Sequence, residues 1–153
     1  MLKIRTINSY FFYLCDRIII GDYMLREYND NDFSTVKNII DTSFNLNIDN
    51  IYQASNVESF VYEDDGKVVG YLNITKDFDV VRNMKYAWIN FVCVDPNSRG
   101  RGIGKKMMIF AMEKCSDCKL IRLTSNPKKE VANRMYSELG FEIYNTNVFE
   151  RNN

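Results

Sequence analysis

Six consecutive residues, Arg99, Gly100, Arg101, Gly102, Ile103 and Gly104, have the composition of an anion site. Glycine lets successive main-chain NH groups converge on one set of oxygens without a Cβ in the way. An apolar run (residues 87–94) and a turn (residues 95–98) precede the loop, and an amphipathic helical pattern follows it to Cys115. The order strand, turn, glycines, helix matters because the first turn of a helix carries unpaired NH groups and the positive end of the dipole. The chemistry expected here is the holding of a phosphate or pyrophosphate. Arg99 and Arg101 would add charge-assisted hydrogen bonds, against the plainer alternative of two solvated surface arginines. Lys105 and Lys106 fall in the first helical turn, where their charge opposes the dipole until an anion binds.

Glycine spacing narrows the ligand. A Walker loop needs Gly five residues before its Gly-Lys pair and Ser or Thr after it, and those places hold Arg99 and Lys106. A dinucleotide fingerprint would need its third Gly at Lys105. What fits is Arg-x-x-Gly-x-Gly directly after an apolar strand. On I-N-F-V-C-V-D-P-N-S-R-G-R-G-I-G-K-K-M-M (residues 89–108), and again on A-N-R-M-Y-S-E-L-G-F (residues 132–141), the chain resembles the GNAT superfamily of N-acetyltransferases.

The resemblance implies acetyl-coenzyme A as cofactor and an amine as acceptor. It implies a bulge in the strand before the loop, with main-chain NH groups around Phe91, Val92, Cys93 and Val94 gripping the pantetheine arm and polarising the carbonyl. The same four residues read equally as a buried central strand, and the two readings are compatible. Tyr136 matches the family's Tyr, which protonates the departing thiolate; its other reading is a core anchor with a wet hydroxyl. Asn126 and Asn133 either bond the pantetheine arm or cap the last helix. Many family members carry Glu or Asp where this chain has Asn90, which cannot take a proton but can hold a relaying water or position the amine; the alternative is a half-buried amide paired to a neighbouring strand. The general base stays unassigned. The implied function is N-acetylation of a small molecule or a protein by direct attack in a ternary complex, with a catalytically silent acyl-coenzyme A sensor as the alternative. The run Leu123, Asn126, Lys128 looks more like small-amine members, such as aminoalkylphosphonate acetyltransferases, than ribosomal-protein acetylators.

These residues need a scaffold. Residues 23–28 read as a strand, Asn29, Asp30, Asn31 and Asp32 as helix-capping side chains, and Phe33, Val36, Ile39, Ile40 and Phe44 as one helical face. Residues 45–55 read as a loop with a short helix, which the resemblance lays over the acceptor pocket. A hairpin is expected over residues 58–63 and 68–76 around Gly66, then a loop over residues 77–85, a strand over residues 119–125, and a helix over residues 129–139 stopped by Gly140. Residues 141–144 and 148–151 read as closing strands. The predicted order is β, α, β, β, β, α, β, α, β: a single α/β domain, GNAT-like, with a mixed, mostly antiparallel sheet of six or seven strands and helices on both faces. The resemblance adds that its fourth and fifth strands splay to admit the cofactor. Residues 1–22 read as an N-terminal extension, and residues 23–153 as the transferase domain.

Composition bounds the rest. Twenty basic and twenty acidic side chains cancel, so no global field draws in nucleic acid or an anionic membrane, and neither is an expected partner. No apolar run approaches a membrane span. Cys115 and Cys118 form a C-x-x-C, but the chain has no His and no second close pair, so ordinary thiols are expected and no metal. Reduced thiols without a secretion signal suggest a cytoplasmic protein. Dimers are common in the resembled family, so a homodimer is an open expectation.

Overall fold

The structure, a computed structural model, describes Tyr13–Leu14, Arg17–Ile20 and residues 23–152. Its elements are β1 (Tyr13–Leu14), β2 (Arg17–Ile20), β3 (Tyr23–Glu27), α1 (Phe33–Phe44), β4 (Val57–Asp64), β5 (Lys67–Asp79), β6 (Met84–Val94), α2 (Ile103–Lys114), β7 (Leu120–Arg122) and α3 (Glu130–Glu138). They fall into two compact units, one ending at Leu123 and the other beginning at Thr124.

In the first unit β3, β4, β5 and β6 pair in sequence, each antiparallel to the next, and β7 joins β6 in parallel, which makes a five-stranded mixed sheet. The short strands β1 and β2 precede its β3 edge. They are the described part of the expected extension over residues 1–22; the rest of that segment, Cys15 included, lies outside the described residues. The β4–β5 hairpin closes on Asp65 and Gly66 with φ of 49° and 71°, the pair of positive angles that a two-residue primed turn requires. Helix α1 begins behind a 3₁₀ turn whose cap is reciprocal: Asn29 accepts the Asn31 NH, and Asp32 accepts the Asn29 NH. It stops at Asn45, left-handed at φ 52°.

Strand alternation assigns the two faces. Val61 and Tyr71 join Tyr28, Val36, Ile39, Ile40 and Cys93 in a cluster under α1. Their neighbours Phe60 and Leu72 point the other way, where Phe60 meets Phe110 of α2 edge to face at 4.9 Å. Met107 and Met108 are wholly buried on that helix, and truncating such a side chain to Ala costs about 2–5 kcal/mol. Met107 packs directly over Gly70, where a Cβ would stand 2.7 Å from its Sδ and displace that side chain.

Four expectations are corrected. The loop expected over residues 77–85 shrinks to a turn over residues 80–83: Asp77, Phe78 and Asp79 pair with Tyr86, Lys85 and Met84, because a hairpin that outruns the core has solvent on both faces and tolerates charge. The strand expected over residues 119–125 is only Leu120–Arg122, for its ladder partners end at Trp88. No helix forms over residues 45–55. Residues 141–144 and 148–151 form no strands, and Ile143 is 98% exposed; among the described residues from Thr124 onward no strand forms.

Candidate active site

The loop is built from its turn outward. Asp95 NH donates to Val69 O at 2.8 Å, and Asp95 Oδ1 accepts the Asn97 NH at 2.7 Å, so the chain reverses directly at the end of β6. Gly100 and Gly102 have φ of 77° and 75°. An added Cβ would meet nothing within 4 Å at either, so glycine serves the dihedral angle rather than the space. Gly102 stands at the N-cap of α2, where it supplies no side-chain oxygen, and Gly104 already lies in the helix. Among the described residues the NH groups of Gly100, Gly102, Ile103 and Gly104 donate to no acceptor. Four unpaired amides at the positive end of a helix make an anion cradle.

Three of the neighbouring cations are turned to the scaffold. Arg99 Nε donates to Val94 O at 3.0 Å and Nη2 to Ser43 Oγ at 3.3 Å, which ties the loop to β6 and α1. Arg101 pairs with Asp64 at the end of β4. Lys106 Nζ reaches Tyr62 Oη at 3.5 Å, and Lys105 lies exposed in the same turn.

Upstream, β6 carries a bulge. Tyr71 pairs with Cys93 but Asn73 pairs with Asn90, so Phe91 and Val92 together oppose Leu72. Phe91 takes φ 52°, an angle that non-glycine residues rarely adopt. Its ring is 40% exposed and rests edge-on against Phe44 at 5.5 Å. Val92 and Val94 are half-buried, and Cys93 is buried with Sγ 3.6 Å from Tyr71 O. Pairing of β6 with β7 involves only Tyr86, Ala87 and Trp88, so β6 runs on from Ile89 past the end of that ladder.

Asn90 sits immediately before the bulge, half-buried. Its Nδ2 is shared among Asn73 Oδ1 at 3.2 Å, Thr75 Oγ1 at 3.3 Å and Trp88 O at 3.4 Å. Asn73 Nδ2 continues to Tyr71 Oη at 3.4 Å, which meets Ser59 Oγ at 3.2 Å in the interior. Asn90 Oδ1 accepts no hydrogen bond among the described residues. Asn73 and Thr75 escaped the sequence reading, although the alternation Tyr71, Asn73, Thr75, Asp77 along one strand face was the signal that could have found them.

The second unit contains the other expected site residues. Helix α3 ends in a Schellman motif: Gly140 at φ 88° donates to Ser137 O at 3.0 Å, and Phe141 NH donates to Tyr136 O at 3.0 Å. The Phe141 ring accompanies this, edge-on to Tyr136 at 6.2 Å. The Tyr136 hydroxyl has no partner among the described residues, and burial pushes its pKa above the ordinary 10.0. Asn126 Oδ1 accepts the Lys128 NH at 2.9 Å, and Asn133 Nδ2 donates to Asn126 O and Pro127 O at 3.0 and 3.2 Å. Both asparagines thus shape the turn into α3.

Of the cysteines, Cys115 is buried, with its thiol pushed up to about 11 by that burial, and Cys118 is half-buried beside Asp117. No helix among the described residues is long and apolar enough to cross a membrane.

The sequence profile of the Acetyltransferase (GNAT) family matches residues 22–141. No curated protein sequence matches the chain. Among solved structures, a transcriptional regulator from Bacillus halodurans C-125 superposes with a TM-score of 0.74 at 21% identity, over 84% of this chain and 99% of its own. Glucosamine-6-phosphate N-acetyltransferase from Arabidopsis thaliana does so with 0.67 at 19%, over 86% and 99%. Ribosomal-protein-alanine N-acetyltransferase from Brucella melitensis biovar Abortus 2308 gives 0.72 at 14%, over 85% and 99%. At these identities the likeness is one of fold.

Proposed function

Because the chain belongs to the GNAT acetyltransferase family, whose profile spans residues 22–141, we propose that it is an acetyl-coenzyme A dependent N-acetyltransferase acting on a primary amine of a small molecule or protein. The observation that carries this reading is the set of unpaired amides at Gly100, Gly102, Ile103 and Gly104, which fits a diphosphate at a helix N-terminus. Bound acetyl-coenzyme A supplies an activated thioester carbonyl. The loop amides would hold its diphosphate, with the Arg99 guanidinium beside them and the Arg101 charge shared with Asp64. Main-chain NH groups of the bulge around Phe91, Val92, Cys93 and Val94 orient the pantetheine arm and stabilise the oxyanion.

Asn90 Oδ1 receives an N–H of the incoming amine. Tyr136 would give its hydroxyl proton to the thiolate that leaves and recover one from solvent, while the surplus proton of the acylated amine would pass to water. Asn126 and Asn133 would hydrogen-bond the pantetheine arm. Residues 1–22 are an extension ahead of the transferase domain. The setting is cytoplasmic and the acceptor a small or peptide amine, with no nucleic-acid or membrane partner and no metal. A homodimer belongs to the same reading.

The asparagine at position 90, where a carboxylate would serve as base, favours one second reading: a silent domain that binds acyl-coenzyme A to sense or regulate. Both readings expect coenzyme A to bind. Free thiol released from acetyl-coenzyme A across amines, aminophosphonates, polyamines, aminoglycosides and peptide N-termini separates them, since only the enzyme releases it above the no-amine rate.

A further inference from the structure

The direction of the Asn90 amide is decided behind it. Trp88 O is an acceptor only, so the Asn90 group 3.4 Å from it must be the NH2. Asn73 Oδ1, at 3.2 Å, takes the same polarity, and its own Nδ2 is then committed to Tyr71 Oη, 3.4 Å further in. Tyr71 is 2% exposed and Ser59 8%, so water has little access to this end of the chain of bonds. Asn73 reaches Asn90 across the strand pair at the register position just before the bulge, where the partner shifts from Asn90 to Cys93.

We infer that Asn73 is a positioning residue that holds the Asn90 carbonyl oxygen outward, so that the site selects an acceptor entering as an N–H donor. This rests on the transferase reading. An outward Oδ1 attracts an ammonium or amine and repels a carboxylate or phosphate oxygen brought to the same point, whereas an outward NH2 would do the reverse. Thr75 and the Trp88 carbonyl hold the amide less firmly without Asn73, because they leave it the longer two of its three bonds.

The test compares wild type with Asn73→Leu, which removes the acceptor, and Asn73→Asp, which restores one for Asn90 Nδ2 and accepts from Tyr71. Asn73→Leu should raise the amine KM roughly five- to tenfold, about the worth of one neutral hydrogen bond, with kcat and acetyl-coenzyme A affinity little changed. Asn73→Asp should return the amine KM to the wild-type value or below it. In ¹⁵N-labelled protein the Asn90 side-chain NH2 should exchange with solvent faster in Asn73→Leu and not in Asn73→Asp. An active wild type whose Asn73→Leu variant keeps its amine KM, or Asn90 exchange indifferent to both changes, overturns the inference alone. A wild type that releases no thiol with any amine overturns the transferase reading and this use of Asn73 with it.

Discussion

Tyr136 and Tyr28 are both tyrosines whose hydroxyls find no partner among the described residues, and they lead to opposite expectations. Burial raises the Tyr136 pKa above 10.0, so the hydroxyl stays protonated, and able to donate, at every pH below that raised value. If it protonates the leaving sulfur, kcat should hold across the neutral and mildly alkaline range and fall only above the ordinary tyrosine pKa. Tyr136→Phe should lower kcat about a hundredfold, abolish that alkaline limb and leave coenzyme A affinity almost unchanged. An unaltered kcat in the variant would remove Tyr136 from the mechanism. Tyr28 Oη is instead sealed in the α1 cluster, and an unsatisfied buried hydroxyl costs about 1–3 kcal/mol. Its ring keeps an edge contact with Tyr71 at 6.2 Å that phenylalanine can reproduce. Tyr28→Phe should therefore stabilise the protein by about 1 kcal/mol, read as a higher urea midpoint at unchanged slope.

Among the elements, the glycine loop and the bulge are linked through β6, whose end they share. The loop's conformation depends on a backbone angle rather than on room, because open space surrounds the Cβ positions of Gly100 and Gly102. Side chains at position 102 should thus rank by their tolerance of the left-handed region and not by size alone. Gly102→Asn should cost least, Gly102→Ala about 1 kcal/mol and Gly102→Val more, with coenzyme A affinity falling in the same order. Titration calorimetry with coenzyme A and thermal melts of the three variants check this. A valine variant that binds as tightly as wild type would show that the loop amides do not hold the diphosphate.

At the scale of the whole molecule, opposite charges balance at neutral pH. Arg26 on β3 joins Asp32, ahead of α1, at 2.7 Å, and Glu63 on β4 at 2.9 Å. Burial pushes the Asp32 carboxyl up, but the Arg26 hydrogen bonds, the Asn29 NH and the guanidinium charge together carry it below the ordinary 3.8. A depressed carboxyl contributes stability that is complete above its unfolded pKa and is lost as pH falls through the folded value. Stability should accordingly drop below about pH 4 in wild type. Asp32→Asn should lose about 3 kcal/mol at pH 7 and show a flatter acid limb, as measured by urea unfolding across pH. Equal acid limbs in the two proteins would refute this linkage.

What could be read along the chain is what depends on near neighbours. The glycine loop, the helix from Phe33 to Phe44, the Asp65-Gly66 turn and the stop at Gly140 each rest on dihedral preferences and caps within a few residues, and all stand where the residue pattern puts them. The length of β5 and β6, the shortness of β7 and the strandless tail did not follow, because a strand exists only where a partner edge meets it. Asn90 could be named as a candidate from its place in a motif, but not the direction of its amide. That direction depends on Asn73, seventeen residues away, and the two are brought face to face by hairpin register and a one-residue bulge. Local preference sets each segment's shape; cross-strand register, which no single segment contains, sets which polar atoms are spent inside the fold and which remain for a substrate.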